Sequence, residues 1–87
     1  MAFRFILSNC AEKDVRSLDE VTAKQILKKL VWFERQTNPI RFAKHLRESA
    51  AGDLRFRIGD YRAIGVVHQK EKVIEIVKIG HRRNVYL

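Results

Sequence analysis

Side chains suited to gripping a phosphate backbone are concentrated in the last third of this 87-residue chain: Arg55, Arg57, Arg62, His81, Arg82, Arg83 and Tyr86. Guanidinium groups match phosphate oxygens bidentately, and with a pKa above about 12 they clamp charge without taking protons. An imidazole, ordinarily titrating near pH ~6.5, is the side chain best able to exchange a proton at neutral pH, which singles out His81. Tyr86 offers a phenol that can orient a hydroxyl or stack on a base. Which of the two would serve as base or acid is left open by the residues themselves. The arginines sit inside or directly after short apolar runs, not in a disordered tail, and fixed geometry is what transition-state work requires.

The elements that must hold these groups can be read from periodicity. Leu54, Phe56 and Ile58 alternate strictly with Arg55 and Arg57, which sends the apolar side chains to a covered face and both arginines to the opposite one. Gly59-Asp60 is a two-residue turn into Tyr61 to His68, and a second reversal around Gln69 to Lys72 leads into Val73 to Ile79. Together they predict an antiparallel meander of three strands. Phe3 to Leu7 reads as a further strand of the same sheet. With Asn9 as cap, Glu12 completes a reciprocal capping pattern, and Ala11, Val15 and Leu18 predict a helix from about Cys10 to Leu18.

A second helix starts at Asp19 or Glu20, where acidic groups suit the positive end of the macrodipole. It carries Val21, Ile26, Leu27, Leu30, Val31 and Phe33 on one broad stripe and ends at Asn38-Pro39. Residues 40–51 read as a connector with a short helical turn around Phe42 to Leu46. The expected fold is α+β, a small β-α-α-β-β-β domain. Its C-terminal strands form an antiparallel meander in one sheet, with two N-terminal helices packed on one face, and residues 1–87 make a single domain.

Composition narrows the partners. The net charge of +8 and the 46% apolar content describe one compact core with strong attraction to polyanions. The charge is uneven: residues 54–87 hold eight Lys and Arg against three Asp and Glu, whereas residues 1–53 hold ten against seven. The lone Cys10 forms no internal disulfide, no Cys/His spacing suggests a metal, and the first residues are too short an apolar run for a signal or membrane helix. A cytoplasmic protein without membrane association, metal or cofactor is expected.

The segments Gly52-Asp-Leu-Arg-Phe-Arg-Ile-Gly-Asp-Tyr-Arg62 and Lys78-Ile-Gly-His-Arg-Arg-Asn-Val-Tyr86, preceded by two helices, resemble the RelE/ParE superfamily of toxins from type II toxin-antitoxin modules, in its RelE-like branch. The resemblance implies a ribosome-dependent, metal-independent endoribonuclease that cuts mRNA in the decoding site, and a cognate antitoxin that neutralises it. It also implies that toxin and antitoxin bind operator DNA only as a complex. Carried over by position, Arg62, His81, Arg82 and Tyr86 would be catalytic, with Arg55, Arg57 and Arg83 on the RNA phosphates. Arg55 and Arg57 stand where the best-known RNA-cleaving relative has lysines, so they keep the charge and lose any proton-transfer role.

Self-cleavage of RNA by its 2'-hydroxyl needs in-line placement, removal of that proton, stabilisation of the phosphorane-like charge and a proton for the 5'-oxygen. Arginines, a histidine and a tyrosine suffice for that list. Two other readings belong to the same scaffold: a non-enzymatic gyrase poison of the ParE kind, and an inactive remnant that only binds antitoxin. The plain readings are a solvated charge for each arginine, structural or solvent-facing roles for His45 and His68, and a small, partly buried residue for Cys10. Trp32 and Phe33 are expected in the core or against the antitoxin, and the lysines of the second helix on a solvated face.

Overall fold

The structure, a computed structural model, describes residues 2–47 and 50–85. Its elements are β1 (Arg4–Leu7), α1 (Asn9–Arg16), α2 (Glu20–Glu34), a 3-10 turn (Pro39–Phe42), β2 (Ala43–His45), β3 (Leu54–Ile58), β4 (Tyr61–His68) and β5 (Val73–His81). The strands form one sheet in the order β1-β5-β4-β3-β2, antiparallel throughout except that β1 runs parallel to β5.

The expected α+β architecture holds, and three local expectations are corrected. Residues 40–51 contain a fifth strand, β2, where a helical turn around Phe42 to Leu46 was expected; it pairs Ala43 with Phe56 and His45 with Leu54. Three residues are too few to display an alternation. The first helix runs Asn9–Arg16, and its cap is Ser8, whose Oγ accepts from Ala11 N–H at 3.1 Å, so Glu12 does not complete the capping pattern expected from Asn9. Cys10 is exposed, not partly buried.

Strand alternation supplies the core. Leu54, Phe56 and Ile58 of β3, Ala63 of β4 and Ile74, Ile76 and Ile79 of β5 meet Ala11 of α1 and Ile26, Leu30 and Phe33 of α2 in one buried cluster, so both helices cover the same face of the sheet. Phe56 sits at its centre, its ring 4.8 Å from that of Phe33 and 5.4 Å from that of Phe5. Burying such a ring contributes about 1.5–3 kcal/mol.

Sheet edges and turns are held by local polar contacts. The Asp19 carboxylate caps α2 by accepting from Thr22 N–H at 3.0 Å. At the outer edge, the Glu34 carboxylate accepts from the Phe5 N–H of β1 at 2.8 Å, which closes part of an otherwise open strand edge. Gly59 takes the left-handed φ of +60° at the first position of the β3–β4 turn, a conformation that costs a side-chain-bearing residue energy. Asp53 prolongs the β3 ladder, its N–H donating to Gly65 O and its carboxylate accepting from Val67 N–H, both at 2.9 Å.

Candidate functional site

The face of the sheet turned away from the helices is built by the same alternation. Between Leu54, Phe56 and Ile58, β3 points Arg55 and Arg57 outward. Register then places Lys44 of β2 opposite Arg55, and Arg62 of β4 opposite Arg57. Lys78 of β5 faces Ile64 of β4 on the same side. Lys44, Arg55, Arg57, Arg62 and Lys78 therefore share one face across four adjacent strands. Directly opposed residues have Cβ atoms about 4.5–5.5 Å apart, and like charges so placed are destabilising. Two such pairs on one face gather positive charge on the side of the sheet that the helices leave open.

The floor of this face is apolar and partly roofed. Ile64, Val73 and Val85 are buried there, outside the helix-side cluster. Val85 reaches it because the C-terminal turn folds back over Gly80: Asn84 and Val85 N–H groups donate to His81 O at 2.8 and 3.0 Å. The loop before β3 approaches from the other side, and a Cβ on Gly52 would lie 2.7 Å from Ile64 Cγ2. The far end of the face carries Glu75, 3.1 Å from His68 Nε2, which agrees with a structural role for that histidine.

The expected site residues divide between the two sides of the hairpin end. The Arg62 guanidinium lies against the turn, Nη1 donating to the carbonyls of Gly59 and Tyr61, each at 2.8 Å. Arg57, Arg82 and Arg83 make no side-chain hydrogen bond or ion pair among the described residues. Arg82 is tied to the hairpin by its backbone, N–H to Asp60 O at 2.8 Å. His81 is paired with Tyr61, whose ring packs toward the core, so His81 leaves the strand on the helix side while Arg57 and Arg62 leave on the other. The two rings meet edge to face at 5.6 Å. His81 Nδ1 accepts from Arg83 N–H at 3.2 Å, an arrangement that in the neutral ring puts the proton on Nε2. Tyr86 lies outside the described residues.

Lys44 and Lys78 escaped sequence reasoning. The pair Ile76-Val77 carries a signal for Lys78, since two successive apolar residues break the alternation where the β4–β5 register shifts. No group of His, Cys, Asp or Glu among the described residues is arranged to hold a metal ion.

A second surface lies on α2. Phe33 is core, but Leu27, Val31 and Trp32 are exposed by 39, 46 and 41%, and with Lys24, Lys28 and Arg35 they line an open groove of about 620 Å³. Lys29 Nζ sits 4.0 Å over the Trp32 ring, so this lysine is engaged with an aromatic face and not simply solvated. No helix among the described residues is long and apolar enough to cross a membrane.

The family model described as the ParE toxin of the type II toxin-antitoxin system, parDE, matches residues 5–86. The chain belongs to this ParE toxin family. Among solved structures, this ParE-family chain is similar to the archaeal RelE–RelB complex from Pyrococcus horikoshii, at 29% identity and a TM-score of 0.73, with 98% of this chain and 100% of that chain covered. The toxin-antitoxin complex RelBE2 from Mycobacterium tuberculosis gives a TM-score of 0.82 at 22% identity, covering 94% of this chain and 100% of that one. Isolated RelE toxin from E. coli gives 0.68 at 22% identity, covering 92% and 84%. At that identity the last two speak for the fold alone. No curated protein matches the ParE-family chain.

Proposed function

We propose that this ParE-family toxin cleaves mRNA in the decoding site of the ribosome by attack of the RNA's own 2'-hydroxyl, and that a cognate antitoxin neutralises it. The observation that carries the reading is the outward face of the sheet, where Lys44, Arg55, Arg57, Arg62 and Lys78 stand together with two like-charged pairs directly opposed. Such a concentration of positive charge attracts a phosphodiester backbone, and guanidinium groups suit its oxygens.

In this reading Arg57 and Arg62 clamp the scissile phosphate at the hairpin end and stabilise its transition-state charge, while Lys44, Arg55 and Lys78 guide the neighbouring phosphates. Arg82 and Arg83, on the C-terminal turn, extend the positive surface beyond the sheet. His81, on the other side of the sheet with Nδ1 accepting from Arg83 N–H, is given no proton-transfer step on the phosphate that Arg57 and Arg62 hold. Tyr86, next after buried Val85, remains a candidate to orient the 2'-hydroxyl. The groove on α2, apolar along its floor and rimmed by Lys24, Lys28 and Arg35, suits an acidic amphipathic segment of the antitoxin. The Pyrococcus relative, itself a RelE–RelB complex, supports the antitoxin part of the reading.

The test is primer extension on a defined mRNA in a translating extract, comparing wild type with an Arg62→Ala/Arg82→Ala double variant and a control without ribosomes. Cuts within codons that require both ribosomes and the arginines are the expected result. Intact mRNA from a toxic protein would favour a second reading, a gyrase poison. The family model's description as ParE supports that alternative, and gyrase supercoiling assays address it directly.

A further inference from the structure

The end of β5 outruns the strand beside it. β1 accompanies β5 only as far as the pair Leu7 and Ile76, yet β5 continues to His81 and carries Lys78 and His81 before delivering Arg82 and Arg83. On the β1 side the ladder beyond Leu7 is continued by α1 and its cap. Ser8 N–H donates to Ile76 O at 2.9 Å, Ser8 Oγ to Val77 O at 3.4 Å, and the Asp14 carboxylate accepts from Ile79 N–H at 2.9 Å. On the β4 side, the register shifts over the same residues: Gly65 faces Ile76 while Ile64 faces Lys78, leaving Val77 without a partner.

A bulge disrupts the ladder locally and increases the twist of the strand, and a slip of one residue sends each following side chain to the opposite face. Among the described residues, Asp14 is the side chain from another element that holds a β5 N–H beyond the bulge. We propose that Asp14 is a positioning residue, a clamp on the bulged end of β5 that fixes Lys78 to the cationic face and sets the path by which His81 and Arg82 reach the hairpin. The inference rests on the reading of that face as an RNA-phosphate site, but the clamp itself is a structural statement that can be measured separately.

The experiment uses the full chain in three forms: wild type, Asp14→Ala and Asp14→Asn, whose amide oxygen can still accept from Ile79 N–H. Amide hydrogen exchange reads the clamp and mRNA cleavage in a translating extract reads its consequence. In Asp14→Ala the Ile79 amide should exchange roughly fivefold to tenfold faster, as fits one lost hydrogen bond, with Phe56 unchanged as the internal control for folding. Cleavage should fall by about 10- to 100-fold through kcat more than KM, and Asp14→Asn should restore both readouts. Unchanged exchange at Ile79 overturns the clamp whatever the activity. Faster exchange with full cleavage overturns the positioning role, as does failure of Asp14→Asn to rescue. A wild type that cuts no mRNA sinks the nuclease reading instead, and the clamp then stands or falls on Ile79 exchange alone.

Discussion

The two faces of one sheet obey opposite rules although the same three strands build both. Toward the helices, β3, β4 and β5 present Leu54, Phe56, Ile58, Ala63, Ile74, Ile76 and Ile79, packed with the rings and aliphatic groups of α1 and α2. Away from them, one residue further along each strand, they present Arg55, Arg57, Arg62 and Lys78. The first face is satisfied within the chain, every side chain having found apolar company. The second holds like charges opposite one another and is the face proposed above to meet RNA phosphates. In that proposal stability is concentrated on one side and function on the other, and a substitution should reveal which side it touches by which quantity moves.

The largest expected effect is on the helix side. Phe56→Ala should remove about 3–5 kcal/mol of folding free energy, a large share of what an 87-residue chain possesses. Urea denaturation followed by circular dichroism measures it, and a loss under 1 kcal/mol would mean that the core is not organised around this ring. On the outward face, Arg62→Ala should lower mRNA cleavage by about 100-fold. Its folding free energy should drop by only about 1 kcal/mol, since the guanidinium also holds the Gly59 and Tyr61 carbonyls. If cleavage and stability fell in proportion, the division between faces would be wrong.

Arg57→Gln sharpens the contrast further, because it should weaken binding to an RNA oligonucleotide while raising stability by about 0.2–1 kcal/mol through relief of the repulsion with Arg62. A salt titration of that binding should show a slope reduced by about one. The smallest effect belongs to neither face. Hydrogen bonds from Thr22, side chain first and backbone second, hold the Asp19 carboxyl below its ordinary pKa of 3.8. A group depressed in this way stabilises α2 above its unfolded pKa and loses that contribution as the pH falls through the lowered value. Melting temperatures of wild type and Asp19→Ala should thus differ slightly at neutral pH and converge in acid.

What the sequence disclosed tracks the length of each pattern. The β3–β4 hairpin was plain because Leu54 to Ile58 alternates without error and Gly59-Asp60 turns it, and α2 was plain because its apolar stripe spans four turns. β2 was hidden, since Ala43 to His45 is too short to alternate and its existence depends on Leu54 and Phe56 having an open edge to offer. Ser8, not Asn9, caps α1 because the backbone leaves β1 in an extended conformation at that residue, which local spacing does not specify.

The cationic site was half legible. Arg55, Arg57 and Arg62 follow from alternation, whereas Lys44 depends on the unseen strand and Lys78 on a bulge. That His81 leaves on the other side from Arg62 follows from the pairing of His81 with Tyr61, a register that emerges only after Val77 has been passed over.

The parallel pairing of Arg4 with Val73 and of Leu7 with Ile76 joins the first strand made to the last. During synthesis β1 emerges with no strand to lie beside, and its neighbour β5 follows only after β2, β3 and β4. The sheet that carries the cations is thus completed only once its last strand, β5, has been made. Lys44, Arg55, Arg57, Arg62 and Lys78 cannot all stand side by side until then, so the cationic face is among the last features of the fold to form.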